Sequence, residues 1–435
     1  MEENSKSIAG EIKIPRETVK EKEESISNLP EAQEKIKEGL KGDVSKSLEI
    51  ILLSAFFIKA SDIHLEPEEE GTRLRMRLDG ILHDALDLDP KISEKIVSRI
   101  KLLSQVKLNI EDRPQDGRFT VVIPLKEEEV EVEIRMSTLP SEYGETVVMR
   151  ILDPRKLITI EDLGLRDDLF KTFKREIEKP HGMVIVTGPT GSGKTTTLYA
   201  FLKAINKPGV KTITIEDPIE YHLKGISQTE VNPERGYDFA NGLRAIVRQD
   251  PDVILVGEVR DLETAQIGMQ AALTGHLVFS TLHTNDAPGA ISRLVALGED
   301  MSNIAPAINM VIAQRLVRRV CSRCAIHEEP DEETLEKIKS ELENVKEETF
   351  SFPSRLKIPK SVGCKECNFT GYRGRVGIFE AFLVDEEMEN FLFSSPSISE
   401  TRKKALDKGM VTMRQDGFIR MIEGITTIEE IERVT

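Results

Sequence analysis

The chain has 435 residues, 39% of them hydrophobic, and a formal net charge of −16. That length suits two to four domains with full apolar cores, and the acidic balance excludes a general phosphate-backbone binder. The longest apolar run, near residues 50–58, falls well short of a membrane span, and the amino terminus lacks the apolar stretch of a secretory signal, so the expectation is a cytoplasmic chain with peripheral membrane contact only.

Residues 1–46 are rich in Glu, Lys and Ser and are expected to form a flexible tail with transient helix. A short amphipathic helix that docks on a partner is the alternative for this stretch. An α+β domain is expected over 47–153, with helices at 48–60 and 93–103 and strands at 72–78, 119–123, 129–136 and 147–151. Asp153 followed by Pro154 signals a linker, taken as 154–165. Residues 166–320 change rhythm. Apolar strands at 183–187, 212–215, 253–256 and 277–281 alternate with helices at 195–205, 262–273 and 288–297. Continuous apolar strands between helices imply an α/β fold with a parallel sheet covered on both faces. A cysteine module follows at 321–370, with an acidic helix at 332–345 between its two halves, and 371–435 reads as helical.

The strongest motif lies on the α/β sheet. Gly188, Pro189, Thr190, Gly191, Ser192, Gly193, Lys194 and Thr195 satisfy G-x-x-x-x-G-K-S/T in full, with Thr196 next, between an apolar strand and a helix. Glycines let consecutive N–H groups curl around the phosphates of ATP without a Cβ in the way. Lys194 is placed to neutralise phosphate charge and the Thr195 hydroxyl to ligate Mg²⁺. A second strand ends in Gly257-Glu258, so a glycine stands where an aspartate usually holds the metal shell, and Glu258 is left to orient metal-bound water or activate the attacking water. Glu216 and Glu220 follow the strand at 212–215, and either could serve as general base. His276 and His283 flank the fourth strand, where a neutral imidazole can donate to a γ-phosphate.

All four cysteines fall in two C-x-x-C pairs, Cys321 with Cys324 and Cys364 with Cys367. Four thiolates in two knuckles suit a closed tetrahedral Zn²⁺ site with a structural role, an iron–sulfur centre being the weaker rival. His327, three residues past Cys324, is read as a bystander.

Several blocks go beyond a generic phosphate loop: ASDIHLEP at 60–67, QDGRF at 115–119, TIEDPIEY at 214–221, LRAIVRQDPD at 243–252, TLHTN at 281–285, AQRLVR at 313–318 and GCKECNFTGYRGRVGIFE at 363–380. Over residues 47–435 the chain resembles the secretion ATPase superfamily, the traffic ATPases of type II secretion and type IV pilus assembly. The resemblance implies a homo-hexameric ring, with a PAS-like amino-terminal domain joined by the linker to a RecA-like motor domain. It makes 216–220 the Asp box and 276–283 the His box, and the glycine before Glu258 becomes the family's own pattern. Arg118 and Arg135 would then reach bound ATP as the ring closes, and Arg244, Arg248 and Arg315 would serve at the motor domain. Arginine suits this because its rigid fork binds phosphate oxygens and cannot lose its charge. The implied partner is a polytopic platform protein of the inner membrane, with no nucleic acid. The four cysteines favour an export or extension motor over a retraction motor. The family's larger amino-terminal docking domain is expected to be missing or reduced to the tail. Two rivals remain open at this point: a nucleic-acid-dependent RecA-like motor, since fold alone does not settle function, and a non-catalytic nucleotide-binding scaffold.

Overall fold

Segments that alternate polar and apolar side chains dominate the first third of the chain, and in the computed structural model, which describes residues 10–435, they form one largely antiparallel sheet. The elements in order are β1 (Gly10–Lys13), α1 (Arg16–Ser25), α2 (Leu29–Gly39), α3 (Val44–Phe57), β2 (Asp62–Pro67), β3 (Thr72–Leu78), β4 (Ile81–Leu88), α4 (Pro90–Leu103), β5 (Gln115–Pro124), β6 (Glu129–Ser141) and β7 (Gly144–Leu152). The strand order is β1-β5-β6-β7-β2-β3-β4. In β3 the residues Leu74 and Met76 turn inward and are fully buried while Arg73, Arg75 and Arg77 alternate with them on the other face, as a period of two requires.

The chain divides into two units. The first takes the residues up to Lys156 together with Cys321–Ala325 and Ser361–Arg373, and the second takes Leu157–Val320, Ile326–Lys360 and Gly374–Thr435. Three expectations are corrected by this. Residues 10–46 are not a flexible tail; residues 1–9 of that stretch lie outside the described residues. Val19, Ile26, Leu29, Ala32 and Ile36 are buried in the same apolar core as α3 and the sheet. The signal was faint because Val19 and Ile26, like Leu29 and Ile36, stand seven residues apart among charges, one apolar contact per two turns. Asn28 starts α2 by accepting from Glu31 N at 3.1 Å, and Glu31 returns a bond from Ser27 N at 2.9 Å. Second, the cysteine module is not one body: the cysteine pairs belong to the first unit and the segment between them to the second. Third, the carboxy-terminal region is not wholly helical, since Tyr372–Leu383 is a strand.

The second unit contains α5 (Asp167–Ile177), β8 (Gly182–Thr187), α6 (Lys194–Ile205), β9 (Thr212–Glu216), β10 (Ser227–Glu230), α7 (Phe239–Val247), β11 (Val253–Val256), α8 (Leu262–Leu273), β12 (Leu277–Leu282), α9 (Ala287–Leu297), α10 (Met301–Ala307) and β13 (Ile308–Val320). After these come β14 (Ile326–Glu328), α11 (Glu332–Leu342), β15 (Ile358–Lys360), β16 (Tyr372–Leu383), α12 (Glu386–Leu392), α13 (Ile398–Asp407), α14 (Met413–Ile422) and α15 (Ile428–Val434). Its main sheet runs β10-β9-β11-β12-β8-β13-β16, and every pairing from β10 to β13 is parallel. Met183 and Ile185 of β8 pack into one apolar layer and Val184 and Val186 into another, so helices cover both faces. The acidic α11 joins α14 and α15 through Ile338, Leu342, Phe418, Met421 and Ile431. Among the described residues, no helix is long and apolar enough to cross a membrane.

If α2 is core, truncating it must cost folding energy. Ile36→Ala should destabilise the protein by about 2–4 kcal/mol in denaturant unfolding. An unchanged midpoint would return this segment to the status of a tail.

Candidate active site at the phosphate loop

Parallel strands deliver their carboxyl ends to one edge of the sheet, and in this chain Thr187, Glu216, Glu258 and His283 lie at or just past those ends. β8 ends in Thr187 directly opposite Leu282 of β12. The Thr187 hydroxyl donates to the Leu282 carbonyl at 3.1 Å and accepts from Thr284 N at 2.8 Å, which staples the start of the phosphate loop to the His-box strand. The loop then turns through Gly188, Gly191 and Gly193, all with positive φ, and enters α6 at Lys194. The Lys194 ammonium lies on the loop's own carbonyls, 2.8 Å from Gly188 O and 3.2 Å from Pro189 O. Thr195 and Thr196 are exposed at the amino end of α6, where a hydroxyl ligand for Mg²⁺ is needed.

Glu258 follows β11 and stands among cations. It pairs with Arg260, and its other oxygen is 3.5 Å from His283 Nε2. Burial draws the Lys194 ammonium below its ordinary range, Glu258 opposing and Arg315 adding to the shift. His283 is likewise held below the ordinary imidazole range, first by burial and then by Lys194, with Glu258 opposing. Lys194, Glu258, His283 and Arg315 are therefore one electrostatic group. Gly257 has a packing reason: a Cβ there would stand 3.3 Å from Glu216 Cα and 3.3 Å from Ile215 O, tight enough that this backbone would have to give by a few tenths of an ångström.

Two expected site residues have other work. Glu216 is buried at the end of β9 and accepts from Tyr199 Oη, from Thr214 Oγ1 at 2.5 Å and from Gln228 Nε2 at 3.2 Å. A carboxylate that accepts from three donors fastens a loop, and this anchoring is the place the structure gives Glu216. Tyr199 Oη in turn accepts from Glu220 N at 3.2 Å, which ties the start of the Asp box to α6. Burial and then Glu216 push the Tyr199 phenol upward, keeping it a donor. His276 precedes β12, whose six residues carry the chain about 20 Å, at ~3.3 Å per residue, before His283. It sits at the amino end of the sheet with Nδ1 at 2.9 Å from Ala271 O, so its expected phosphate contact is corrected.

Arg315 donates to Gln314 O at 3.2 Å and to Asn285 O at 3.1 Å. Arg244 pairs with Glu263 of α8, and Arg248 is exposed at the carboxyl cap of α7. In the first unit Arg118 and Arg135 are directly opposed across β5 and β6, and Arg150 of β7 opposes Arg135 in turn. Arg135 Nε donates to Glu133 at 3.0 Å, and Arg150 Nε donates to Asp62 at 3.2 Å. Sequence reading missed Arg150, Arg260, Tyr199 and the Thr187–Thr284 staple. Only register or strand ends reveal them.

Within the first unit the four cysteine sulfurs lie within 4.8 Å of one another. Cys321 to Cys364 is 3.9 Å, Cys324 to Cys367 is 3.8 Å and Cys364 to Cys367 is 3.8 Å. A tetrahedron with metal–sulfur bonds of about 2.3 Å has edges of about 3.8 Å, so the donors fit one zinc ion. His327 belongs to the second unit and is not in this cluster. Leu29 N, at the start of α2, donates to Asn368 Oδ1 at 2.5 Å, so the second knuckle is bonded to the amino-terminal helices.

A parallel sheet, a complete phosphate loop and a carboxylate beside its lysine define a P-loop ATPase of the α/β class. A sequence model of the Type II/IV secretion system protein family matches residues 38–433. The chain is 42% identical over 408 residues to the Type IV pilus assembly ATPase PilB of Thermus thermophilus, which is 92% of this chain but 44% of that protein. It is 42% identical over 412 residues to the Type II secretion system ATPase E of Vibrio cholerae, 94% of this chain and 78% of that protein. A solved structure of the pilus retraction motor PilT with bound ADP superposes with a TM-score of 0.59 at 27% identity, over 89% of this chain and 96% of that one. The chain belongs to the Type II/IV secretion system protein family, the superfamily of secretion and pilus traffic ATPases.

Cys364→Ser should release most of the bound zinc, measured by metal analysis of the purified protein, and lower the melting temperature of the first unit. Full zinc content in that variant would remove the metal assignment.

Proposed function

We propose that this chain is a mechanochemical ATPase of the export or extension type, driving assembly of a type IV pilus or a type II secretion pseudopilus. The observation that carries the reading is Glu258, held between His283 and Arg260 in the electrostatic group of Lys194. In this reading the loop Gly188–Thr195 binds the phosphates of ATP, and Thr195 holds Mg²⁺. Glu258 orients or deprotonates the attacking water. Glu220 is the second candidate for that task. Neutral His283 senses the γ-phosphate. Release of that phosphate becomes a domain displacement.

Six copies form a ring. Arg118 and Arg135 of a PAS-like amino-terminal domain supply charge to the bound nucleotide, with Arg244, Arg248 and Arg315 serving at the motor domain. The tetracysteine centre holds structural Zn²⁺, for which the sulfur spacing is the support. The ring works in the cytoplasm against a platform protein of the inner membrane; the names of the relatives, a pilus assembly ATPase and a secretion system ATPase, support the pilus or secretion role alone.

Three measurements test this. Glu258→Gln should bind ATP normally yet turn over at least about 100-fold more slowly; normal turnover excludes the role given to Glu258. Because His283 titrates below the ordinary imidazole value, the acid limb of the rate profile should lie below about pH 6.5, and a rate already falling at pH 7.5 would remove neutral His283 from the mechanism. ATPase rate per chain should climb with protein concentration and with the platform protein's cytoplasmic part, and not with DNA. A rate flat in concentration that rises only with DNA would favour a nucleic-acid motor.

A further inference from the structure

Gln314, beside Arg315 on β13, has no role in the chemistry described so far, yet it is buried against the phosphate loop. Its Nε2 donates to the Ser192 carbonyl at 2.8 Å, and its Oε1 accepts from the Thr197 hydroxyl of α6 at 2.7 Å. The carbonyl of Ser192 can only accept, so the amide's nitrogen end must face it. Contact continues along the loop. A Cβ at Gly193 would stand 2.7 Å from Gln314 Nε2, and one at Gly188 would stand 2.6 Å from Gln314 O. Gln314 thus bonds the carboxyl end of the loop and leaves no room for a Cβ at Gly188 or Gly193.

The consequence follows from peptide geometry. In a trans peptide the C=O of one residue and the N–H of the next point in opposite directions. Holding the Ser192 carbonyl toward β13 therefore turns the Gly193 N–H the other way, away from β13. Gly193 has φ of 91°, where glycine rotates with little steric resistance, so without an anchor this peptide is free to flip. A flip would aim a carbonyl dipole at the phosphate and remove a donor.

We propose that Gln314 is a positioning residue for nucleotide binding, whose side-chain amide locks the Ser192–Gly193 peptide in the orientation that accepts the β-phosphate. This rests on the assignment of Gly188–Thr195 as the phosphate site. Glutamate at 314 keeps the shape but sets an oxygen against the Ser192 carbonyl. Methionine keeps the volume and removes the donor.

The test compares dissociation constants for ADP and AMP in full-length protein carrying Gln314→Glu, Gln314→Met or, as control, Thr197→Val. Because AMP has no β-phosphate, both glutamine variants should weaken ADP by at least about tenfold while AMP changes by less than about twofold. Thr197→Val should lower the melting temperature and leave the ADP-to-AMP ratio unchanged. A merely structural role would weaken both nucleotides together. That result, wild-type ADP affinity in Gln314→Glu, or failure of both glutamine variants to fold would each overturn the proposal. The site assignment fails separately, if Lys194→Ala binds ADP as tightly as wild type.

Discussion

The turn between β8 and α6 bends through three positive-φ glycines, and its own bonds, from the Lys194 ammonium to the Gly188 and Pro189 carbonyls and from Ser192 N to Pro189 O, are all local to the turn. It is held from outside, by hydroxyl bonds from Thr187 to the end of β12 and by the Gln314 amide from β13. Both neighbours are available only because β8 sits between β12 and β13 in a parallel sheet. The remaining site geometry depends on this constraint. A loop pinned on two sides presents its N–H groups without reorganising, which is where electrostatic stabilisation of a phosphate is largest.

The same sheet edge divides labour between two carboxylates. Glu216 and Glu258 end adjacent parallel strands, and Val256 pairs with Ile215. One is buried under three donors and fastens the Asp box to α6, while the other faces Lys194 and His283. Residue type does not separate them. Their surroundings do: one accepts from three neutral donors, and the other stands beside Arg260 and His283.

The cysteine cluster shows a different economy of chain. The two C-x-x-C turns lie within the sequence of the motor half yet belong to the first unit, where Asn368 accepts from the first backbone N–H of α2. A closed four-thiolate shell can hold short, irregular turns that have little apolar content of their own. The helix between the turns has an apolar stripe and goes elsewhere, to α14 and α15 in the second unit. One contiguous segment is thus divided between two bodies, its cysteine turns in the first and its apolar helix in the second.

By itself the sequence determined what local pattern encodes: the alternating α/β rhythm, the phosphate loop, the four paired cysteines, Glu258 at the end of an apolar strand, and the family. Each is a short-range signal, because a period, a spacing or a run of glycines constrains the backbone within a few residues. Tertiary structure alone decided which similar residues share a site. His276 and His283 look alike in sequence, but one strand's length puts them at opposite ends of the sheet. Residues 10–39 read as polar because their apolar positions are sparse, and only packing against α3 and the sheet shows that those positions are buried. Gln314 is an unremarked amide in a motif until β13 is laid beside β8. Long-range register and burial are properties of the assembled chain, so no window along the sequence contains them.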